Sequence, residues 1–193
     1  MIGSGPAGLI LTPGAGAGRD HPALMAIDEA TTRVGVVVER VEFPGRSAGK
    51  RRPDPPGVCI ETIRTAATEL AHRLDVPTSR VALGGRSMGG RMCSMAVADG
   101  LAAAALVLIS YPLHPPGRPD RLRAAHFPLL NLPCLFVSGR RDAFGTPAEM
   151  ELEVAVIPGA VTLVFVDGDH SLRKRESEVA ELVAGWLVGL TDS

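Results

Sequence analysis

Val81-Ala82-Leu83-Gly84-Gly85-Arg86-Ser87-Met88-Gly89-Gly90-Arg91 is the stretch from which the fold can be read. Three apolar residues run into a glycine pair, a serine and a second glycine pair, and the residues from Ser87 to Ala98 keep helical spacing. The segment therefore reads as strand, sharp turn, helix. Its centre, Gly85-Arg86-Ser87-Met88-Gly89, has the form G-x-S-x-G. On such a turn the central residue takes an unfavourable backbone conformation. Neighbouring backbone then crowds the residues two before and two after it, which must be small. Ten serines and 22 glycines in 193 residues give about 0.1 chance matches. The pattern alone is thus only suggestive, because a glycine-rich turn with a helix-capping serine would look the same.

The alternation of strand and helix continues in both directions. Apolar runs at Leu9–Thr12, Val34–Phe43, Arg80–Gly84, Ala104–Ile109, Cys134–Ser138 and Val161–Val166 read as strands. Helical spacing marks Pro22–Thr32, Val58–Leu74, Ser87–Ala98 and Glu176–Leu190, as in Ile60, Ile63, Ala67, Leu70 and Leu74. This order predicts an α/β fold: a roughly six-stranded, mainly parallel sheet with helices on both faces. Pro44–Pro56, with four prolines among basic residues, is expected to be an irregular, mobile loop, and Tyr111–Pro133 is the one candidate for a lid. No repeat or linker divides the chain, so a single domain over residues 1–193 is expected, with residues 1–8 flexible.

Composition narrows the classes of partner. The 46% hydrophobic content with 4% aromatics describes a core of Ala, Val and Leu. Twenty basic and twenty-one acidic residues leave a net charge of -1, which lacks the electrostatic footprint of a nucleic-acid or anionic-membrane binder. Cys59, Cys93 and Cys134 are widely spaced with no CxxC pair, so free thiols in a reducing compartment are expected and no metal site is suggested. The longest apolar run, Leu101–Ile109, is about half of the roughly 20 residues that span a bilayer, and no basic leader precedes it. A cytoplasmic protein with a small-molecule ligand, no cofactor and a possible homo-oligomeric state is the expectation.

Two glycine-rich stretches suggest nucleotide binding and fail on context. Gly3-Ser4-Gly5-Pro6-Ala7-Gly8 matches G-x-G-x-x-G, but only Met1 and Ile2 stand before it where a strand is needed. In Gly14–Gly18 the following Arg19-Asp20 replaces the Lys and Ser or Thr of a phosphate-binding loop.

A serine hydroxyl is a weak nucleophile at neutral pH. It needs a histidine base, and the imidazole needs a carboxylate to hold its tautomer. In open α/β sheets such groups gather on loops leaving the carboxyl ends of strands. Asp142 follows the fifth strand and His170 follows the sixth, in the chain order Ser, Asp, His. Each residue taken alone reads as an ordinary turn or loop residue. Asp169, a rival carboxylate, adjoins His170 and is poorly placed to bond its ring. Ester or thioester chemistry also needs donors for an oxyanion. The amide of Met88 is one candidate, and Ala15, in the Gly-Ala loop after the first strand, is the other, with Gly16 next. Gly16, Arg86 and Tyr111 are candidate substrate-binding residues, and Arg140 and Arg141 are expected near the same mouth.

Taken together, Gly84–Arg91, Pro13–Gly18, Gly139-Arg140-Arg141-Asp142 and Gly168-Asp169-His170 resemble the α/β-hydrolase superfamily. The likeness is to its small dienelactone-hydrolase-like branch, and within it to the group whose eukaryotic members include regulatory subunits of a histone acetyltransferase complex. It covers nearly the whole chain from Leu9. The resemblance implies a serine hydrolase of esterase type, with Ser87, Asp142 and His170 as triad and Ala15 and Met88 as oxyanion hole. It also implies departures. Dienelactone hydrolases use cysteine where Ser87 stands, the usual histidine before the oxyanion-loop glycine is Pro13, and the strands that normally precede that loop are missing. Because relatives act as scaffolds, a non-catalytic interaction module using the Pro-rich loops is the competing expectation.

Overall fold

A computed structural model describes residues 5–49 and 52–190. Its six strands are β1 (Gly8–Thr12), β2 (Val37–Arg40), β3 (Val81–Arg86), β4 (Leu106–Ile109), β5 (Cys134–Gly139) and β6 (Val161–Val166). The helices are α1 (Pro22–Arg33), a four-residue turn α2 (Pro44–Ser47), α3 (Pro56–Arg73), α4 (Met88–Ala98), α5 (Pro147–Val154) and α6 (Glu176–Gly189). All strand pairs are parallel, in the order β2-β1-β3-β4-β5-β6.

Handedness explains the layers. The right-handed crossover from β1 to β2 runs one way along the sheet, and every later crossover runs the other way, so the helices divide between opposite faces. Leu24 and Ile27 of α1 and Val183 and Leu187 of α6 cover the face carrying Leu9, Leu11, Val107 and Val137. Ile63 and Leu70 of α3 and Met92 of α4 cover the face carrying Ile10, Leu83, Leu108 and Phe136. The period-2 alternation within β1 thus feeds two cores, and all five of its residues are buried. The direction of travel reverses between β1 and β3, and a crevice for ligands opens at the carboxyl ends of those strands.

Several expected boundaries need correction. Residues Val34–Val36 finish α1 instead of starting a strand: the Val34 and Val36 amides both donate to Thr31 O. The stretch from Pro44 is partly regular. Pro44 opens α2 and Pro56 opens α3, first-turn positions where the missing N–H costs nothing. Asp54 Oδ2 accepts from Gly45 N at 2.7 Å and ties the segment down. Residues Met1–Ser4, part of the expected flexible end, lie outside the described residues. Gly5 and Pro6 are buried, Gly8 begins β1, and Arg80 O accepts from Ala7 N at 2.8 Å.

Nor is 111–133 a lid. Tyr111, Leu113, Ala124, Phe127 and Leu130 are buried in the core, and Arg123 N donates to Leu113 O at 2.8 Å. Helix α5, absent from the sequence reading, is started by a capping box between Thr146 and Glu149. Among the described residues no helix is long and apolar enough to cross a membrane.

Candidate active site

Ser87 sits where β3 becomes α4, with φ 51° and ψ -117°, a strained conformation for a residue other than glycine. Its amide donates to Ile109 O at 2.8 Å, which anchors the turn to the end of β4. The space around it accounts for the flanking glycines. A Cβ on Gly85 would lie 2.1 Å from Thr12 Oγ1, and one on Gly89 would lie 2.5 Å from Pro13 O. The end of β1 therefore presses directly on both sides of the turn. Although Ser87 is the residue before α4, its hydroxyl caps no helix amide, so the helix-capping alternative does not describe it.

The hydroxyl instead points to His170. Ser87 Oγ lies 2.9 Å from His170 Nε2, and His170 Nδ1 lies 2.8 and 3.0 Å from the two oxygens of Asp142. These residues come from loops after β3, β6 and β5. The last two loops are bound together: Arg140 N donates to Val166 O and Arg141 N to Gly168 O, both at 2.9 Å. Gly139 permits this contact, since a Cβ there would fall 2.5 Å from the carbonyls of Gly168 and Asp169.

Burial differs along the relay in a way that suits its chemistry. The Asp142 side chain is 1% exposed and that of His170 is 19% exposed. The carboxylate also accepts from Phe144 N at 2.8 Å through Oδ1. Phe144 stacks its ring on the imidazole at 4.0 Å with planes 28° apart, which fixes the ring's tilt and shields one face from water. A hydroxyl, imidazole and carboxylate so connected can pass a proton from oxygen to nitrogen while the buried charge stabilises the imidazolium.

Met88 N is the first amide of α4 and has no acceptor within the helix. Ala15 is exposed on the loop after β1. Ala15, Met88, Ser87 and His170 line one pocket of about 420 Å³, together with Arg86, Arg91, Pro112, Arg123 and Phe144. Of the expected substrate-binding residues, Arg86 lies in this pocket, and its Nη2 donates to His170 O at 3.0 Å. Burial pulls its guanidinium below the usual range, opposed by the charges of Asp142 and Asp169.

The remaining expectations need correction. Gly16 faces a neighbouring hollow with Gly14, Ala17 and Phe43, on another side of Met88. Tyr111 is a core residue, 1% exposed, packed edge-on to Phe136, with its hydroxyl donating to Arg123 O at 2.8 Å. Its aromatic bulk found more contact inside the sheet's cover than at the mouth, and the next residue, Pro112, takes the pocket position. Arg140 and Arg141 are exposed and line no part of this pocket, and Arg141 pairs with Asp167. Asp169 behaves as expected: its carboxylate forms a turn, accepting from Ser171 N at 2.8 Å, and Asp142 is the partner of the His170 ring.

Sequence reasoning missed Phe144, Arg91, Pro112 and Arg123. Arg91 follows Ser87 by one helical turn, a spacing that could have been used. The other three depend on irregular segments whose path carries no periodic signal. Cys93 lies beneath the turn, with Sγ 3.4 Å from Gly84 O, and burial pushes its thiol up to about 12.

A family model of the alpha/beta hydrolase domain matches residues 5–185. Among solved structures, the chain is similar to an alpha-beta serine hydrolase homologue from Coxiella burnetii, with 21% identity, coverage of 97% of this chain and 87% of that one, and a TM-score of 0.77. It is also similar to Est1E from Butyrivibrio proteoclasticus with ferulic acid bound, at 17% identity, 97% and 90% coverage and a TM-score of 0.77. Dienelactone hydrolase from Anabaena variabilis matches at 22% identity, 97% and 88% coverage and a TM-score of 0.72. At these identities the likeness is one of fold. With a family model spanning nearly its whole length, this chain belongs to the alpha/beta hydrolase domain family.

Proposed function

We propose that the protein is a serine hydrolase that cleaves a carboxylic ester or thioester through an acyl-enzyme on Ser87. The observation that carries this reading is the unbroken relay of 2.9 Å from Ser87 Oγ to His170 Nε2 and 2.8 Å from His170 Nδ1 to Asp142. His170 Nε2 takes the hydroxyl proton as Oγ attacks the carbonyl carbon, and Asp142 stabilises the imidazolium. The amides of Met88 and Ala15 hold the oxyanion, each contributing about 3 kcal/mol of barrier lowering. The imidazolium then protonates the leaving alcohol or thiol. Water, deprotonated by the same nitrogen, releases the acid and restores the serine.

The strained backbone at Ser87 supports the same reading. Such a conformation has a folding cost of about 1–3 kcal/mol and persists where function uses it. The serine hydrolase homologue and the esterase-type relatives lend their chemistry as analogy. Within the family we place the chain beside the dienelactone-hydrolase-like proteins and the group with histone acetyltransferase regulatory subunits, on its Gly84–Arg91 and Pro13–Gly18 motifs. Its three free, buried cysteines support a cytoplasmic setting. The test is hydrolysis of p-nitrophenyl acetate and butyrate by wild type and Ser87→Ala. Turnover abolished in the variant is the expected result. Equal rates in both proteins, or none in wild type, would favour the interaction-module alternative.

A further inference from the structure

The pocket above Ser87 is unusually cationic for a site proposed to bind an acyl group. Arg86, Arg91 and Arg123 all line it, and none is in an ion pair among the described residues. Arginines elsewhere on the protein do find carboxylates, as in Arg40 with Asp28 at 2.8 Å and Arg64 with Asp99 at 3.2 Å. Arg86 is committed to His170 O. Arg91 and Arg123 are left facing the cavity.

Arg123 carries the mark of its neighbour. Burial and then the Arg91 charge lower the Arg123 guanidinium from its ordinary range. Arg91 Nε is buried with no hydrogen-bond partner. The neighbouring His126 adds no third charge: burial and Arg91 push it down to about 4, so it is neutral. Two half-buried guanidinium groups without a counter-charge are a cost to the free protein, and one that an anion entering the pocket removes. The planar fork of arginine matches a carboxylate best. Pro112, Phe144 and Met88 line the same pocket, apolar surface suited to a short methylene chain.

We propose that Arg91 and Arg123 form a carboxylate-binding subsite, so that the substrate is a monoester or monothioester of a dicarboxylic acid. The free carboxylate sits on the two arginines while the esterified carbonyl meets Ser87. This rests on the hydrolase reading above and adds the substrate class.

The test compares mono-p-nitrophenyl glutarate, adipate and pimelate with p-nitrophenyl valerate, hexanoate and heptanoate, pairing equal chain lengths. At one or more lengths the half-ester is expected to exceed its neutral partner at least tenfold in kcat/KM. KM for the half-ester should rise between 0.05 and 0.5 M salt more steeply than that of the neutral ester. Arg91→Gln and Arg123→Gln should collapse the preference toward unity, whereas Arg140→Gln, outside the pocket, keeps it. Wild type that hydrolyses the neutral esters as well as or better than the half-esters at every length overturns the subsite and leaves the hydrolase standing. Absence of hydrolysis of all six esters overturns both. If the arginine variants fail to fold, the wild-type ratio and its salt dependence decide alone.

Discussion

Replacing Asp142 by Asn should silence the site while leaving its shape intact, and the hydrogen-bond pattern says why. Asp142 Oδ1 accepts from Phe144 N at 2.8 Å, and Oδ2 lies 2.8 Å from His170 Nδ1. An amide in the same place must keep its oxygen toward the Phe144 N–H, so its NH2 group falls where Oδ2 was and points at His170 Nδ1. That nitrogen can then only accept, and the ring proton moves to Nε2, the atom 2.9 Å from Ser87 Oγ. Nε2 can no longer take the serine's proton. The charge that stabilises the imidazolium is lost in the same step. Together these should lower kcat by about 10⁴, or about 5.5 kcal/mol of barrier. The assay is p-nitrophenyl butyrate hydrolysis at pH 7.5, with circular dichroism and urea denaturation as checks that the fold persists. Asp142→Ala should be less impaired than Asp142→Asn, because an empty site leaves the tautomer free. A folded Asp142→Asn variant within tenfold of wild type would refute the assignment of Asp142.

Two further expectations concern stability. Gly89→Ala places a Cβ 2.5 Å from Pro13 O and Thr12 Oγ1 and should destabilise by about 2–4 kcal/mol in urea titration. Gly185→Ala in α6, where an added Cβ would meet nothing within 4 Å beyond its own helix backbone, should stabilise by about 0.5–1 kcal/mol; the opposite order would contradict the close-approach account. His126, held down to about 4 in the folded protein from an ordinary 6.5, gives a pH signature. Between those values the unfolded chain binds a proton that the folded chain lacks, so this contribution is full above pH 6.5 and falls as pH drops toward 4. The shift corresponds to about 3 kcal/mol before solvent screening and roughly 1–2 kcal/mol after it. His126→Gln should flatten the urea stability profile over pH 4–7, and an unchanged slope would refute it.

The parallel sheet was legible because each strand is a short apolar run followed by helical spacing: β2, β4 and β6 fall within the segments read from sequence, and β1, β3 and β5 overrun theirs by one or two residues, all but Arg86 glycines. Ser87, Asp142 and His170 were legible for a related reason. A turn that needs small neighbours announces itself in glycines, and loops at strand ends can be located once the strands are known. Helix α5 carried a readable signal in Thr146-Pro147-Ala148-Glu149 that went unused. The pocket walls were not legible. Tyr111 and Pro112 are adjacent in the chain, yet one is swallowed by the core and the other faces the serine. That choice depends on how 111–133 packs against Phe127 and Phe136, a tertiary competition with no periodicity behind it. Arg123 reaches the pocket only because that same segment folds inward.

Intact-protein mass spectrometry after treatment with a fluorophosphonate probes the central claim at its reacting atom. One covalent adduct per chain, mapped to Ser87 and absent from Ser87→Ala and His170→Ala, is the predicted result. A folded wild-type protein that gains no adduct, or gains it at another residue, would contradict the account.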